Sequence, residues 1–530
     1  MQRRRFLAHL ARSSGIVLAA KASLALAGGM EGMSGMSGMR SMHGMGGMHG
    51  MMKSAEGAAQ VGSALAPSDA IPMGHPFAAP VALRNETPEP GKFKARLVAA
   101  PTNLSLIPGI NTQARTYNGQ MPGPLIELRA GDEVEVTLEN HLDQPTTVHW
   151  HGLPVPSDQD GNPAEAVAPG GSRVYRFKLP DDVEGLYWYH PHPHRVSAEQ
   201  VYRGLAGPIL IRPRHDPLAA IPERVLAVTD LRLTADGRIP VDDMMDWMNG
   251  REGQFALVNG MNRPILSFHS NGQERWHLLN ATNARYLRLT LPGHRFTLLG
   301  TDGGRIEQAQ PDMREVLVAP AQRVELLVTA VGNDSAQLMA APYDRGKMGG
   351  ESATPAMALM HVDFSAVRQG VQPVVPKSLR KFPNLPPAVA RKRIVMSESM
   401  SMGAMSGGHG SSMKMDDPTM MEFLLNGKSF DMHRVDLRSK AGAWEDWEIV
   451  NDSDMDHPFH VHGTQFAVLE RVLDGRRHSE PFRAWYDTVN LKSRETVRIR
   501  IMQPQKGIRM YHCHILEHED LGMMGRLRVA

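Results

Sequence analysis

Cysteine is almost absent. One thiol in 530 residues, Cys513, excludes a disulfide framework within the chain. A dominant charge is lacking too. The net charge of +2 gives no electrostatic footprint for a nucleic acid. No run is apolar enough to span a bilayer; the stretch from Gly15 to Ala27 is short and broken by Lys21. Long helical periodicity is scarce. The chain is too long for one ordinary domain, and its length suggests about three to four. What it has in excess is methionine and histidine, 35 and 24 residues, and both are metal-ligand types.

The N-terminus reads as an address. Arg3-Arg4-Arg5-Phe6-Leu7 fits the twin-arginine pattern, and Ala25-Leu26-Ala27 offers a small-x-small cleavage site. A signal peptide over residues 1–27 is predicted, with transport of the folded protein by the twin-arginine export machinery. The mature protein is then expected to be periplasmic, with no stable membrane anchor. From Met30 to Met51 a methionine recurs at every third position among Gly and Ser. Such a segment cannot build a core, so residues 28–77 are expected to be disordered. A second cluster, an insert over residues 396–421, holds Met396, Met400, Met402, Met405 and Met421. Soft thioethers select Cu(I) over harder ions.

The remainder reads as all-β. Asp132–Leu138 and Arg173–Leu179 alternate polar and apolar residues between Gly, Pro and Asp-Gly turns. Val201–Ile211 is expected to form a turn and then a strand. A threefold repeat emerges on comparison. Asn118-Gly119, Asn259-Gly260 and Asn426-Gly427 each open a unit. Each unit then has a strand ending in asparagine: Asn140, Asn280 and Asn451. Nine and eleven residues beyond, the first unit has His149 and His151, and the third has His460 and His462. The middle unit has Leu289 and Leu291 there. Three similar β domains are predicted, over 78–214, 215–385 and 386–530. The middle one carries no ligands at these positions and is expected to serve spacing and packing.

Four clusters carry the chemistry: His149-Trp150-His151-Gly152, His190-Pro191-His192, His457-Pro458-Phe459-His460-Val461-His462, and His512-Cys513-His514 with His518 and Met523. Side chains alternate along a strand, so an HxH pair presents two rings to one face about 7 Å apart. The same alternation turns Cys513 away from His512 and His514. One short segment then joins a thiolate site to an imidazole site. Two histidines, one cysteine and a weak axial methionine make the blue-copper pattern. His194 extends the second cluster to HPHPH, which leaves a pairing of His192 with His194 open.

HWHG, WYHPH, HPFHVHG and HCHILEHEDLGMM resemble the four copper-binding signatures of the multicopper oxidases, the family of laccases and bacterial cuprous oxidases. The resemblance covers about residues 90 to 530. It implies three cupredoxin-like Greek-key β-sandwich domains and four copper ions: one type 1, one type 2 and two type 3. The implied type 1 ligands are His457, Cys513 and His518, with Met523 axial. His149 and His460 would hold the type 2 copper. The type 3 pair would take His151, His190 and His514 on one ion and His192, His462 and His512 on the other. The family register favours His190 with His192. The cluster would then lie between the first and third domains.

The chain looks nearest to the bacterial cuprous oxidases, on FDMHRVDL around Phe430, the Met cluster ahead of the third domain, and HGTQF after His462. In that subgroup a Met-rich insert binds substrate Cu(I). By resemblance Met455 matches a substrate-copper methionine, with Met400, Met402 and Met405 as further candidates. The accompanying acid does not align, because Ser453 stands there among Asp452, Asp454 and Asp456. The implied reaction is one-electron oxidation of Cu(I) or small phenolic reductants, coupled to reduction of O2 to water. Cys513 would pass the electrons on to the cluster, and Asp160 and Glu519 would relay protons. Two readings compete with a cuprous oxidase serving copper detoxification. One is a laccase acting on phenols or aromatic amines. The other is a copper-sequestering protein, against which the complete ligand set argues.

Overall fold

The structure, a computed structural model, describes residues 64–350, 353–368, 372–400 and 421–530. Alternation in sequence becomes alternation in space. Glu133–Asn140 buries Val134, Val136 and Leu138 and turns its glutamates outward. The described strands form six sheets, two to a unit, and apolar residues from both sheets of a unit meet in one core. In the first unit Leu97, Val136 and Tyr175 of one sheet share a core with Trp150, Tyr187 and Ile209 of the other.

The threefold repeat is visible in the strand register. Lys92–Ile107 lies parallel to Glu133–Asn140, Glu223–Leu231 to Gln273–Asn280, and Ala390–Met400 to Trp444–Asn451. The terminal asparagines fall at equivalent points, Asn140 opposite Ala99, Asn280 opposite Val228 and Asn451 opposite Met396. Both residues of each Asn-Gly pair have positive φ, the backbone that this dipeptide adopts readily in tight hairpin turns. The side-chain oxygens of Asn118, Asn259 and Asn426 each accept a backbone N–H of the neighbouring strand at 2.8 Å.

The strand-ending asparagines shape the loops that follow. Each side-chain oxygen accepts the N–H two residues on, from Leu142, Thr282 and Ser453. Each amide donates to a carbonyl further along, of Gln144, Arg285 and Met455. The loops lead to His149–His151, Leu287–Thr290 and His457–Val461. Side chains at matched offsets thereby reach matched places. In the middle unit these are Leu289 and Leu291, both buried in the core.

Three expectations are corrected. Residues 64–77, assigned to a disordered segment, run along the middle unit with defined pairing. Ala66 N–H bonds Leu233 O, Phe77 N–H bonds Ile265 O, and Ala66 and Ile71 are buried. Their apolar residues find a groove at that unit's edge, which composition alone does not reveal. Met396 and Met421 belong to paired strands and are buried in the third core, so the Met-rich insert is shorter than 396–421. The start of Val201–Ile211 belongs to a helix, Ser197–Tyr202, before the strand Gly207–Arg212. The N–H groups of Ser197 and Ala198 are held by the Asp520 carboxylate, a contact 322 residues away in sequence. Met402 and Met405 lie outside the described residues. So do the predicted signal peptide and the N-terminal methionine repeat.

Candidate metal centres

Strand pairing brings the histidine motifs together. His149–His151 runs antiparallel to Gly185–His190, with His149 opposite His190. His457–Val461 runs antiparallel to Gly507–Cys513, with His460 opposite His512 and Phe459 opposite Cys513. The two strand pairs face each other across the joint of the first and third units. His149 stacks on His462 with ring centroids 3.7 Å apart, and His151 stacks on His460 at 3.8 Å. These six imidazoles and those of His192 and His514 are all buried.

The ring nitrogens sort into sets. Nε2 of His512 lies 3.2 Å from Nε2 of His192 and 3.1 Å from Nε2 of His462. His151, His190 and His514 form a second triad, with His190 Nε2 at 3.4 Å from His151 Nδ1. His149 and His460 keep Nε2 atoms that have no hydrogen-bond partner, and with His151 they form a further set of neighbouring ligand atoms. His514 has neither nitrogen engaged. Such orphaned buried nitrogens are costly unless a cation takes them.

Other groups occupy the far nitrogens and so orient the rings. Carbonyls of Asp160, Pro191, Asp487 and Cys513 accept from Nδ1 of His149, His190, His460 and His512 at 2.8–2.9 Å. Asp160 lies 3.2 Å from His149 Nδ1 and 3.4 Å from His462 Nδ1, and accepts from Arg509 at 3.0 Å. Burial pushes the Asp160 carboxyl up, but His149 and Arg509 outweigh it and hold the group below its ordinary range. Glu519 lies 3.4 Å from His192 Nδ1 and 3.1 Å from His512 Nδ1. Burial raises the Glu519 carboxyl as well, and these imidazoles pull it down further than burial lifts it.

The fourth set is separate. Cys513 Sγ lies 3.4 Å from His457 Nδ1 and 4.0 Å from His518 Nδ1, and those two nitrogens are 3.3 Å apart. His457 Nε2 contacts Ser453 Oγ at 2.9 Å, and His518 Nε2 contacts Met248 O at 3.2 Å. Both Nδ1 atoms are thereby left to face the sulfur. Met523 is fully buried in the same cluster as Cys513, and its carbonyl accepts the Cys513 N–H. Burial holds His457 down to about 3 and His192 down to about 4, the latter against Glu519. Their lone pairs are therefore free at neutral pH. Burial pushes the Cys513 thiol up, so this sulfur becomes a thiolate when a metal displaces its proton. Two imidazoles, a thiolate and a nearby thioether suit copper. Cys513 is bonded on either side to His512 and His514, which belong to different triads.

His194 stays outside these sets. It meets Phe430 edge-on with ring centroids 5.0 Å apart, which leaves His190 and His192 as the pair turned inward. Met455 is fully buried in the third core. Met400 ends its strand. The open question of the acid also resolves into geometry. Asp452 and Asp454 pair with Arg494 at 2.6 and 2.7 Å, and Asp456 accepts from Tyr343 and Asn490. The carboxylate near the thiolate site is Glu398, its Oε2 3.8 Å from His457 Nε2 and without a hydrogen bond. Sequence reasoning passed it over, although it sits in the Met396–Met400 run. It also passed over Asp487, for which an Asp-Thr pair at the start of a strand gives little signal.

A thiolate site wired through one peptide segment to a cluster of eight imidazoles is the architecture of a copper oxidase. Three family models, each described as multicopper oxidase, match residues 99–216, 233–363 and 405–530. A multicopper oxidase of Staphylococcus aureus is 33% identical over 424 residues, covering 78% of this chain and 83% of its own. The solved structure of a Campylobacter jejuni multicopper oxidase, described as a metallo-oxidase, is 43% identical. It has a TM-score of 0.83 and covers 88% of this chain and 98% of that one. A laccase-like multicopper oxidase from Ochrobactrum sp. is 28% identical, with a TM-score of 0.70, covering 87% of this chain and all of that one (100%). The chain belongs to the multicopper oxidase family, with three cupredoxin domains and histidine-rich copper sites. It is an enzyme of the O2-reducing oxidase class.

Proposed function

We propose that the reductant is Cu(I) and that the enzyme serves copper detoxification in the periplasm. The observation that carries this is where the Met-rich segment joins the fold. The paired strands Ala390–Met400 and Met421–Leu425, in register at Met400 and Met421, bracket residues 401–420. Both pass beside the thiolate site. Phe423 stacks on His518 at 3.9 Å, and Glu398 approaches His457. The two strand ends that flank this methionine-bearing segment thus lie beside the thiolate site, and Glu398 supports the reading as a carboxylate available to a cation there. The twin-arginine pattern supports export of the folded protein, and the metallo-oxidase description of the Campylobacter protein supports a metal ion as reductant. Phenols are the second reading, favoured by the Ochrobactrum relative, described as acting on lignin model compounds.

In this reading His457, Cys513, His518 and Met523 would hold the type 1 copper, His149 and His460 the type 2, and the two triads the type 3 pair. Copper supplies the one-electron chemistry and O2 binding. The chain supplies orientation, exclusion of water and protons. Asp160 and Glu519 each touch two ligand imidazoles and are the carboxylates placed to pass protons to O2 as it becomes water. Asp160→Asn should keep the blue absorption and slow turnover by roughly 10²-fold, the scale of one proton-transfer group. Normal steady-state turnover would remove Asp160 from that role.

The substrate is tested by deleting residues 401–420 and closing the paired strands with a short turn. Cu(I) oxidation should fall while phenol oxidation holds or rises, and Glu398→Gln should shift the ratio of the two rates in the same direction. Unchanged Cu(I) oxidation in the deletion would favour the laccase reading.

A further inference from the structure

We propose that Arg323 of the middle domain is a positioning residue for His151, acting through Asp487, so that the domain without copper ligands helps hold the trinuclear cluster. Three domains meet at this contact. His151 comes from the first, Arg323 from the strand Arg323–Thr329 of the second, and Asp487 from the third. All three side chains are fully buried.

His151 differs from its neighbours in which nitrogen it turns to the cluster. Its Nε2 is engaged by Asp487 Oδ1 at 3.0 Å and Thr488 Oγ1 at 3.2 Å. Its Nδ1 therefore faces the triad, 3.4 Å from His190 Nε2. The ring orientation is set by the hydrogen bond at the far nitrogen, and here that partner is a side chain which must itself be held. Arg323 holds it with both arms, Nη1 to Asp487 Oδ1 at 2.8 Å and Nη2 to Oδ2 at 2.5 Å. Its three other N–H groups are spent on Leu186 O, Ala321 O and Asp302 O, each at 3.0 Å. All five guanidinium donors are thus directed, which a lysine ammonium with three donors cannot reproduce. Asp302 closes the arrangement by accepting the Arg323 backbone N–H at 2.8 Å.

Two further observations bear on the same contact. The backbone carbonyl of Asp487 accepts from His460 Nδ1 at 2.8 Å. One residue therefore orients a type 3 ligand with its side chain and a type 2 ligand with its main chain. Gly152, the last residue of the HWHG motif, lies against the pair. A Cβ there would come within 2.3 Å of Asp487 Oδ2 and 2.8 Å of Arg323 Nη2. The glycine makes room for the clamp.

The test uses the full chain loaded with copper, as parent, Arg323→Lys and Asp487→Asn. Copper retained after a chelator challenge, the blue absorption, the electron paramagnetic resonance spectrum and the melting temperature of the copper-free protein are measured. Both variants should keep the blue absorption, while the copper-free melting temperature falls through the loss of a buried ion pair. Cluster copper should bind about 10–100-fold more weakly, the usual cost of losing a ligand's outer partner. An added signal from uncoupled type 3 copper should appear. Retention and spectra equal to the parent would overturn the proposal. So would a parallel loss of blue copper, cluster copper and melting temperature, which marks a packing role alone. Asp487→Asn preserves shape and carries the test if Arg323→Lys yields no folded protein. The inference takes copper loading of the cluster as given, and the parent's copper count would expose a failure of that reading separately.

Discussion

Cys513 owes its chemistry to its two chain neighbours and to burial. The sulfur faces His457 and His518 while the adjacent imidazoles face the opposite way, as strand alternation requires. Serine offers a harder oxygen that does not ionise in place of a thiolate. Cys513→Ser should abolish the blue absorption and substrate oxidation and leave about three of the four coppers bound, checked by metal analysis. At this scale the ligand types were legible in the sequence because the chemistry leaves few choices. Their outer partners were not legible. Ser453, Glu398, Asp487 and the Met248 carbonyl are ordinary residues made functional only by contact.

Elements carry the repeat. The same asparagine bonds recur in three loops, and the strand after each loop presents its side chains at the same offset. The fold reads this position as a place and the residue decides its use, ligand in His149 and His460, core in Leu289. Leu289→Ala should therefore destabilise the protein by about 2–5 kcal/mol, as cavity-forming core truncations do, with an unchanged copper count. Thermal unfolding and metal analysis check it. Methionine was misread at this scale. Met396 and Met421 have the composition of a copper-binding tract but occupy core positions of two paired strands. Composition does not distinguish a thioether that packs from one that binds.

At the scale of the whole molecule the joints between domains govern both the site and stability. Glu223 sits where the first and middle domains meet, paired with Arg212 and, at 3.0 and 3.2 Å, with His277 and Arg275. Burial pushes its carboxyl up, but His277 and the arginines outweigh it and hold it at about 2. A folded value below the unfolded one means stability that is complete above about pH 4.5 and lost as pH falls towards 2. Glu223→Gln should cost about 2 kcal/mol at pH 7, and the gap in melting temperature from the parent should narrow as the pH falls below 4.5 towards 2. A gap independent of pH would show that the charge does not matter there.

By itself the sequence determined the all-β class, the three domains, the ligand types and the strands that carry the first histidine of each pair. These follow from local periodicity and from repeats, which any segment carries with it. His192, His462 and His514 fall just past those strands and His518 on the short helix Leu516–Asp520. Only the tertiary structure decided that His149 meets His462 and His151 meets His460, that His194 stays out, that Met396 packs, and that Arg323 grips Asp487. Those outcomes depend on contacts between residues hundreds of positions apart, and no local pattern encodes which distant surfaces come to face each other when three cores pack together.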